Sequence, residues 1–200
     1  MDNILVQHRV NTINDLKSIP THFGIEVDIR EQNGDLICAH DPVSKGELFK
    51  DFLFQFNHKF IIANIKEEGI EKDVIACIEE NKIENYFLLD VTFPYLVKLF
   101  KEGINKIALR VSDFEQFDED IVKKLNIEWI WLDAFEQFPT KELKKIKFCS
   151  KYFNLKVCLV SPELHMSRSK LDSTRILDQI KASNYSFDAI CTKNLTEWQS

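Results

Sequence analysis

Glycine and proline are scarce in this chain, five of each among 200 residues, which leaves little material for long loops, linkers or disordered tails. Cysteine is no better supplied for a structural role. Cys38, Cys77, Cys149, Cys158 and Cys191 are odd in number and show no CxxC spacing, which argues against a disulfide framework and against structural zinc. Three of them lie in the apolar runs ICAH, KVCLV and AICT and read as buried thiols. Positive charge is also short. With 32 acidic and 26 basic residues the formal net charge is −6, a poor footprint for nucleic-acid binding, which rests on neutralising phosphates. No apolar run approaches the roughly 20 residues of a membrane-spanning helix. The opening MDNILVQHR lacks the basic-then-apolar pattern of a secretory leader. The expectation is a cytoplasmic protein with no nucleic-acid partner and no membrane span.

What is present is a rhythm. No linker, low-complexity segment or sequence repeat stands out. Short β-rich runs occur at 4–8, 24–29, 60–66, 86–91, 106–112, 127–133, 155–161 and 187–192, with a further short strand at 36–39 leading into His40. Between them, 68–81, 94–102, 116–125, 140–153 and 172–183 mix apolar and charged residues at helical intervals. Ser44 with Glu47 and Ser112 with Glu115 have capping-box spacing, and Thr140 is a further candidate N-cap. Eight strands alternating with helices predict parallel pairing, and eight is the number that closes a TIM (β/α)8 barrel, here one domain over residues 1–200. An open doubly wound sheet is the alternative.

Side chains on a strand alternate between faces. In GIEVDI, Ile25, Val27 and Ile29 share one face and Glu26 and Asp28 the other. Asn64 and Lys66, Arg110 and Ser112, Asp90, Asp133, Ser161 and Thr192 likewise fall late in their strands. Apolar beginnings with polar C-terminal ends suit a barrel, which builds its active site at that end. A strand buried on both faces offers its carboxylates no water, and two buried carboxylates require a cation or strong cationic partners.

The richest constellation is HR at 8–9, ExD at 26–28, HDP at 40–42 and NIK at 64–66. Two carboxylates on one strand face can present oxygens to a hard divalent cation. Two histidines can act as base or nucleophile and as acid. Arg9 and Lys66 can neutralise a phosphoryl group.

In HR at 8–9, GIEVDI at 24–29 and AHDP at 39–42 the chain resembles the glycerophosphodiester phosphodiesterase family, and more broadly the barrel superfamily of phosphatidylinositol-specific phospholipase C and sphingomyelinase D. The motifs cover about the first third of the chain. The resemblance implies catalytic His8 and His40, metal ligands Glu26 and Asp28, and phosphate contact by Arg9. It places Asn64 where the family usually carries a third acidic ligand, and it keeps Lys66. Between His40 and that strand the family usually carries a substantial insertion; here about two dozen residues intervene.

The expected function is cleavage of a small phosphodiester, assisted by Mg²⁺ or Ca²⁺, with Mn²⁺ a third candidate. His8 and His40 would catalyse, Glu26, Asp28 and Asn64 would hold metal, and Arg9, Lys66 and Arg110 would bind phosphate. Asp90, Ser112, Trp131, Asp133, His165 and Arg168 are candidate substrate contacts, against plainer readings as helix caps, core filling or surface loop. Two alternatives stand: a catalytically weak barrel that binds or senses phosphate esters, motivated by Asn64, and a lyase or isomerase acting on a sugar phosphate.

Overall fold

Eight parallel strands alternate with helices in a computed structural model that describes residues 3–165 and 169–199. The chain divides into two compact units, Val6–Ile107 and Ala108–Ser200 with Met1–Leu5.

β1 (Ile4–Gln7), whose last two residues open the first unit, leads to α1 (Ile13–Ser18) and then to β2 (Gly24–Gln32). The antiparallel strands β3 (Asp35–Cys38) and β4 (Glu47–Leu48) follow, then α2 (Phe49–Phe54). Next come β5 (Phe60–Ile65), α3 (Glu71–Glu80), β6 (Tyr86–Leu89) and α4 (Phe93–Lys101). β2 runs parallel to β1 and to β5, and β5 parallel to β6. The segment at 36–39 is β3, which turns back on β2 through Asn33 and Gly34. Both have positive φ, 56° and 89°, the geometry for which an Asn-Gly pair is suited in a tight hairpin.

The second unit carries β7 (Ala108–Val111), α5 (Glu119–Lys124), β8 (Trp129–Leu132) and α6 (Thr140–Cys149). It continues with β9 (Lys156–Val160), α7 (Lys170–Ala182) and β10 (Ala189–Thr192). β7, β8, β9 and β10 pair parallel in that order. This succession is that of a TIM barrel, with the β3–β4 hairpin added after β2.

Burial explains the sequence patterns. β5, β6, β8 and β10 are buried at every position, as parallel strands covered on both faces must be. The helices contribute one stripe each, such as Val74, Ile75 and Ile78 of α3 and Ile176 and Ile180 of α7; each such aliphatic side chain stabilises by about 1.5–3 kcal/mol. Cys38, Cys158 and Cys191 are buried and form no disulfide, as their apolar runs suggest.

The capping expectations fare unevenly. Ser44 caps no helix: β4 intervenes, and Leu48 precedes α2 with no side-chain cap. Its partner Glu47 instead accepts from the Ile13 backbone N–H at 2.6 Å, serving the first turn of α1. Ser112 accepts from the N–H groups of Phe114 and Glu115, closing a turn, while Asp118 caps α5. Thr140 is the first helical residue of α6, with Pro139 ahead of it. Two short helices, α1 and α2, lie outside the segments that the sequence marks as helical. One short repeat also escapes the sequence reading. The tetrapeptide Phe-Glu-Gln-Phe occurs at 114–117 after β7 and again at 135–138 after β8.

Candidate functional site

At the C-terminal ends of β1, β2 and β5 the chain gathers six polar side chains of the first unit. The register opposes Asp28 to Asn64 on neighbouring parallel strands, so Glu26, Asp28 and Asn64 come together, all buried. Arg9 adopts φ 57°, a left-handed conformation that costs a non-glycine residue about 1–2 kcal/mol. It turns the Arg9 N–H onto Glu26 Oε2 at 2.6 Å, while the Val10 N–H donates to the Glu26 carbonyl. His8 Nε2 lies 3.7 Å from the same Glu26 oxygen.

Every carboxylate oxygen of the pair faces a donor. Asn64 Nδ2 donates to Glu26 Oε1 at 2.8 Å. Asp28 Oδ2 accepts from Asn11 Nδ2 at 2.9 Å and lies 3.6 Å from Arg9 Nε. Lys66 Nζ stands 3.1 Å from Asp28 Oδ1 and 3.7 Å from Asp90 Oδ2. Asn11 also accepts from the Asp28 N–H through its Oδ1. Sequence reading missed Asn11; its position in HRVN, three residues after His8, was the available signal.

Burial, and next the neighbouring Asp28 charge, push the Glu26 carboxyl up to about 7; the Asn64 and Arg9 donors and Lys66 pull the other way. A group near 7 can give or take a proton at neutral pH. His40 stands at the end of the β3 segment, its carbonyl accepting from Arg30 Nε and its Nδ1 2.7 Å from Asp41 Oδ1. That hydrogen bond holds the exposed Asp41 carboxyl below the usual range. A hollow of about 380 Å³ beside His40 is also lined by Asn11, Thr12, Lys45 and Glu47.

The donor set can be weighed against a divalent cation, which wants uncommitted oxygen lone pairs. Here the four carboxylate oxygens are engaged, and Lys66 already supplies a positive charge. Asn64 Oδ1 is buried without a hydrogen-bond partner, an oxygen that could ligate, but its amide N–H₂ is turned to Glu26. Among the described residues no three His, Cys, Asp or Glu side chains group as a metal site. As placed, the cluster fits a compensated ion network and does not fit a divalent ion unless Lys66 and Asn64 turn away.

The remaining candidates belong to the second unit. Asp133, 3% exposed at the end of β8, accepts from Arg110 at Oδ2 and pairs with His165 Nε2 at Oδ1, both at 2.7 Å. Arg110 was a candidate phosphate ligand; its carboxylate partner is Asp133. Ser112 is buried in its own turn, and Trp131 is buried in β8. Arg168 lies outside the described residues.

No family model matches the chain, and no curated protein matches it in sequence. Several solved structures share its fold, among them the following two. A glycerophosphodiester phosphodiesterase from Agrobacterium tumefaciens superposes with a TM-score of 0.61 at 13% identity, over 98% of this chain and 97% of that one. A glycerol uptake operon antiterminator-related protein from Thermotoga maritima superposes with a TM-score of 0.50 at 13% identity, over 100% of both chains. At such identity the likeness shows the fold.

Proposed function

We propose that the chain is a phosphodiesterase acting on a small phosphodiester of the glycerophosphodiester kind. The observation that carries this reading is the convergence of His8, Arg9 and Lys66 on the buried Glu26–Asp28 pair. Arg9 and Lys66 would hold the phosphoryl oxygens, offsetting the charge that spreads over them as the bond to the leaving oxygen breaks. One histidine takes the proton of the attacking oxygen, and the other gives a proton to the departing alcohol. His8, beside a carboxyl poised near neutrality, and His40, oriented by Asp41, fill these two roles. Attack by water releases a monoester; attack by a neighbouring substrate hydroxyl releases a cyclic phosphate. A divalent cation, Mg²⁺, Ca²⁺ or Mn²⁺, would bind in competition with Lys66. A cytoplasmic setting belongs to the same proposal.

A second reading is a barrel that binds or senses phosphate esters without turnover. Asn64 in place of an acid and the engagement of all four carboxylate oxygens favour it, and the likeness to an antiterminator-related protein is compatible with it. Phosphorus NMR on a set of glycerophosphodiesters, in EDTA and with each cation, separates the two. Turnover that falls by about a hundred- to ten-thousand-fold in both His8→Ala and His40→Ala supports the enzyme. Full activity in both variants removes the histidines from catalysis, and saturable binding without product supports the sensor.

A further inference from the structure

The second unit contains a cavity of about 810 Å³ lined by Arg110, Phe114, Glu115, Phe135, Glu136, His165, Ser169, Asp172 and Arg175, a volume suited to a small-molecule ligand. Its walls are the two Phe-Glu-Gln-Phe turns, and the two copies are used in the same way. The second phenylalanine of each is a core anchor, Phe117 at 5% and Phe138 at 4% exposure. The first is turned outward, Phe114 at 67% and Phe135 at 41%. Each anchor is fastened by a helix that follows: Phe117 N–H donates to Glu142, and Phe138 N–H to Gln179.

The two turns are also tied to each other. The Asp113 carboxylate accepts the N–H groups of Phe135, Glu136 and Gln137 at 2.8–3.1 Å. The outward rings therefore meet edge to face, with centroids 6.0 Å apart, and the Phe135 ring leans on His165 at 5.1 Å. Two large aromatic side chains fixed at the wall of a cavity, 67% and 41% exposed, are the usual mark of a binding surface.

Charge selects the ligand. Each outward phenylalanine is followed by a carboxylate, Glu115 or Glu136, and Asp172 adds a third. The guanidinium groups on the wall are already matched by carboxylates: Arg110 by Asp133 at 2.7 Å and Arg175 by Asp172 at 3.4 Å. Arg175 also donates to the Glu136 carbonyl. Among the described residues, taking Asp133 with the lining residues, four acids face two arginines and His165, which is bonded to Asp133. Aromatic faces rimmed by surplus negative charge attract organic cations, whose charge interacts with the ring quadrupole while their alkyl groups displace water.

We propose that this cavity binds an alkylammonium group, with Phe114 and Phe135 as its aromatic wall and Glu115 and Glu136 as its counter-charges. The site rests on its own residues and stands apart from the phosphodiesterase reading. The probe is choline, titrated into the full chain by proton NMR, with 3,3-dimethylbutan-1-ol as the uncharged molecule of the same shape and phenyl phosphate as the anion.

Choline should saturate, the uncharged analogue should bind at least tenfold more weakly, and phenyl phosphate should not displace choline. Phe114→Ala and Phe135→Ala alter exposed side chains and should each weaken choline roughly five- to thirty-fold, with Phe135→Trp restoring or exceeding the parent affinity. Glu115→Gln should weaken choline and leave the uncharged analogue unchanged. Equal binding of choline and its uncharged analogue overturns the proposal. So does displacement of choline by phenyl phosphate, or unaltered choline affinity in the double Phe→Ala variant.

Discussion

The Glu26–Asp28 cluster of the first unit and the Asp133 cluster of the second begin from the same device, an acid at the end of a parallel strand, and arrive at opposite electrostatics. Glu26 and Asp28 share one strand face, so burial sets two negative charges side by side against one ammonium, Lys66, and a half-exposed Arg9. Burial first, and then the charge of Asp28 beside it, push the Glu26 carboxyl up to about 7. Asp133 is a single carboxylate that meets two basic side chains, Arg110 and His165, at 2.7 Å each. The lesson is that a buried acid is made reactive by crowding and fixed in place by matching.

The largest test of that contrast is to remove one cation from each cluster. Lys66→Met leaves Asp28 buried beside Glu26 and should destabilise by about 3–5 kcal/mol, the usual cost of breaking a buried pair. Arg110→Met should cost clearly less, about 1–2 kcal/mol, because Asp133 keeps its hydrogen bonds from His165 and the Ala134 N–H. Urea unfolding at pH 7 measures both, and equal losses would erase the distinction.

Next in size is a pH effect. The Glu26 carboxyl is pushed up to about 7 in the fold from its ordinary 4.5, so between those values the folded chain holds a proton that the unfolded chain has released. The stability attached to this proton is full below about 4.5 and is lost as pH rises toward 7, a change of roughly 3 kcal/mol in all. Glu26→Gln should flatten the stability profile across that window. A variant with the parent's slope would assign the titration elsewhere.

The smallest effect concerns metal. Asn64→Asp replaces a neutral donor with a third carboxylate and should raise Mg²⁺ or Mn²⁺ affinity, each tenfold gain corresponding to about 1.4 kcal/mol. Calorimetric titration of parent and variant decides it: equal or weaker binding in the variant means that residue 64 does not face the cation.

Much of this was readable before any coordinates. The eight strand segments survive with boundaries moved by one to three residues, because alternation and apolar runs are local signals set by burial. Glu26 and Asp28 share a face by strand geometry alone, so their pairing needed no tertiary information. The outward placement of Phe114 and Phe135 did. Nothing in Phe-Glu-Gln-Phe distinguishes the ring that anchors from the ring that lines a cavity until Asp113 ties one turn to the other. Capping went wrong for the same reason: Glu47 has ideal spacing to Ser44 but finds the Ile13 N–H instead, a partner 34 residues away.

Periodicity, strand count and the facing of the two carboxylates follow from sequence because each depends on neighbours within a few residues. The partners of those carboxylates depend on strand register and on turns that cross between segments. Asn11 reaching Asp28, Lys66 reaching the same acid and Asn64 turning its amide to Glu26 were therefore decided only by the tertiary structure. Electrostatic compensation acts through space, and the sequence records no distances.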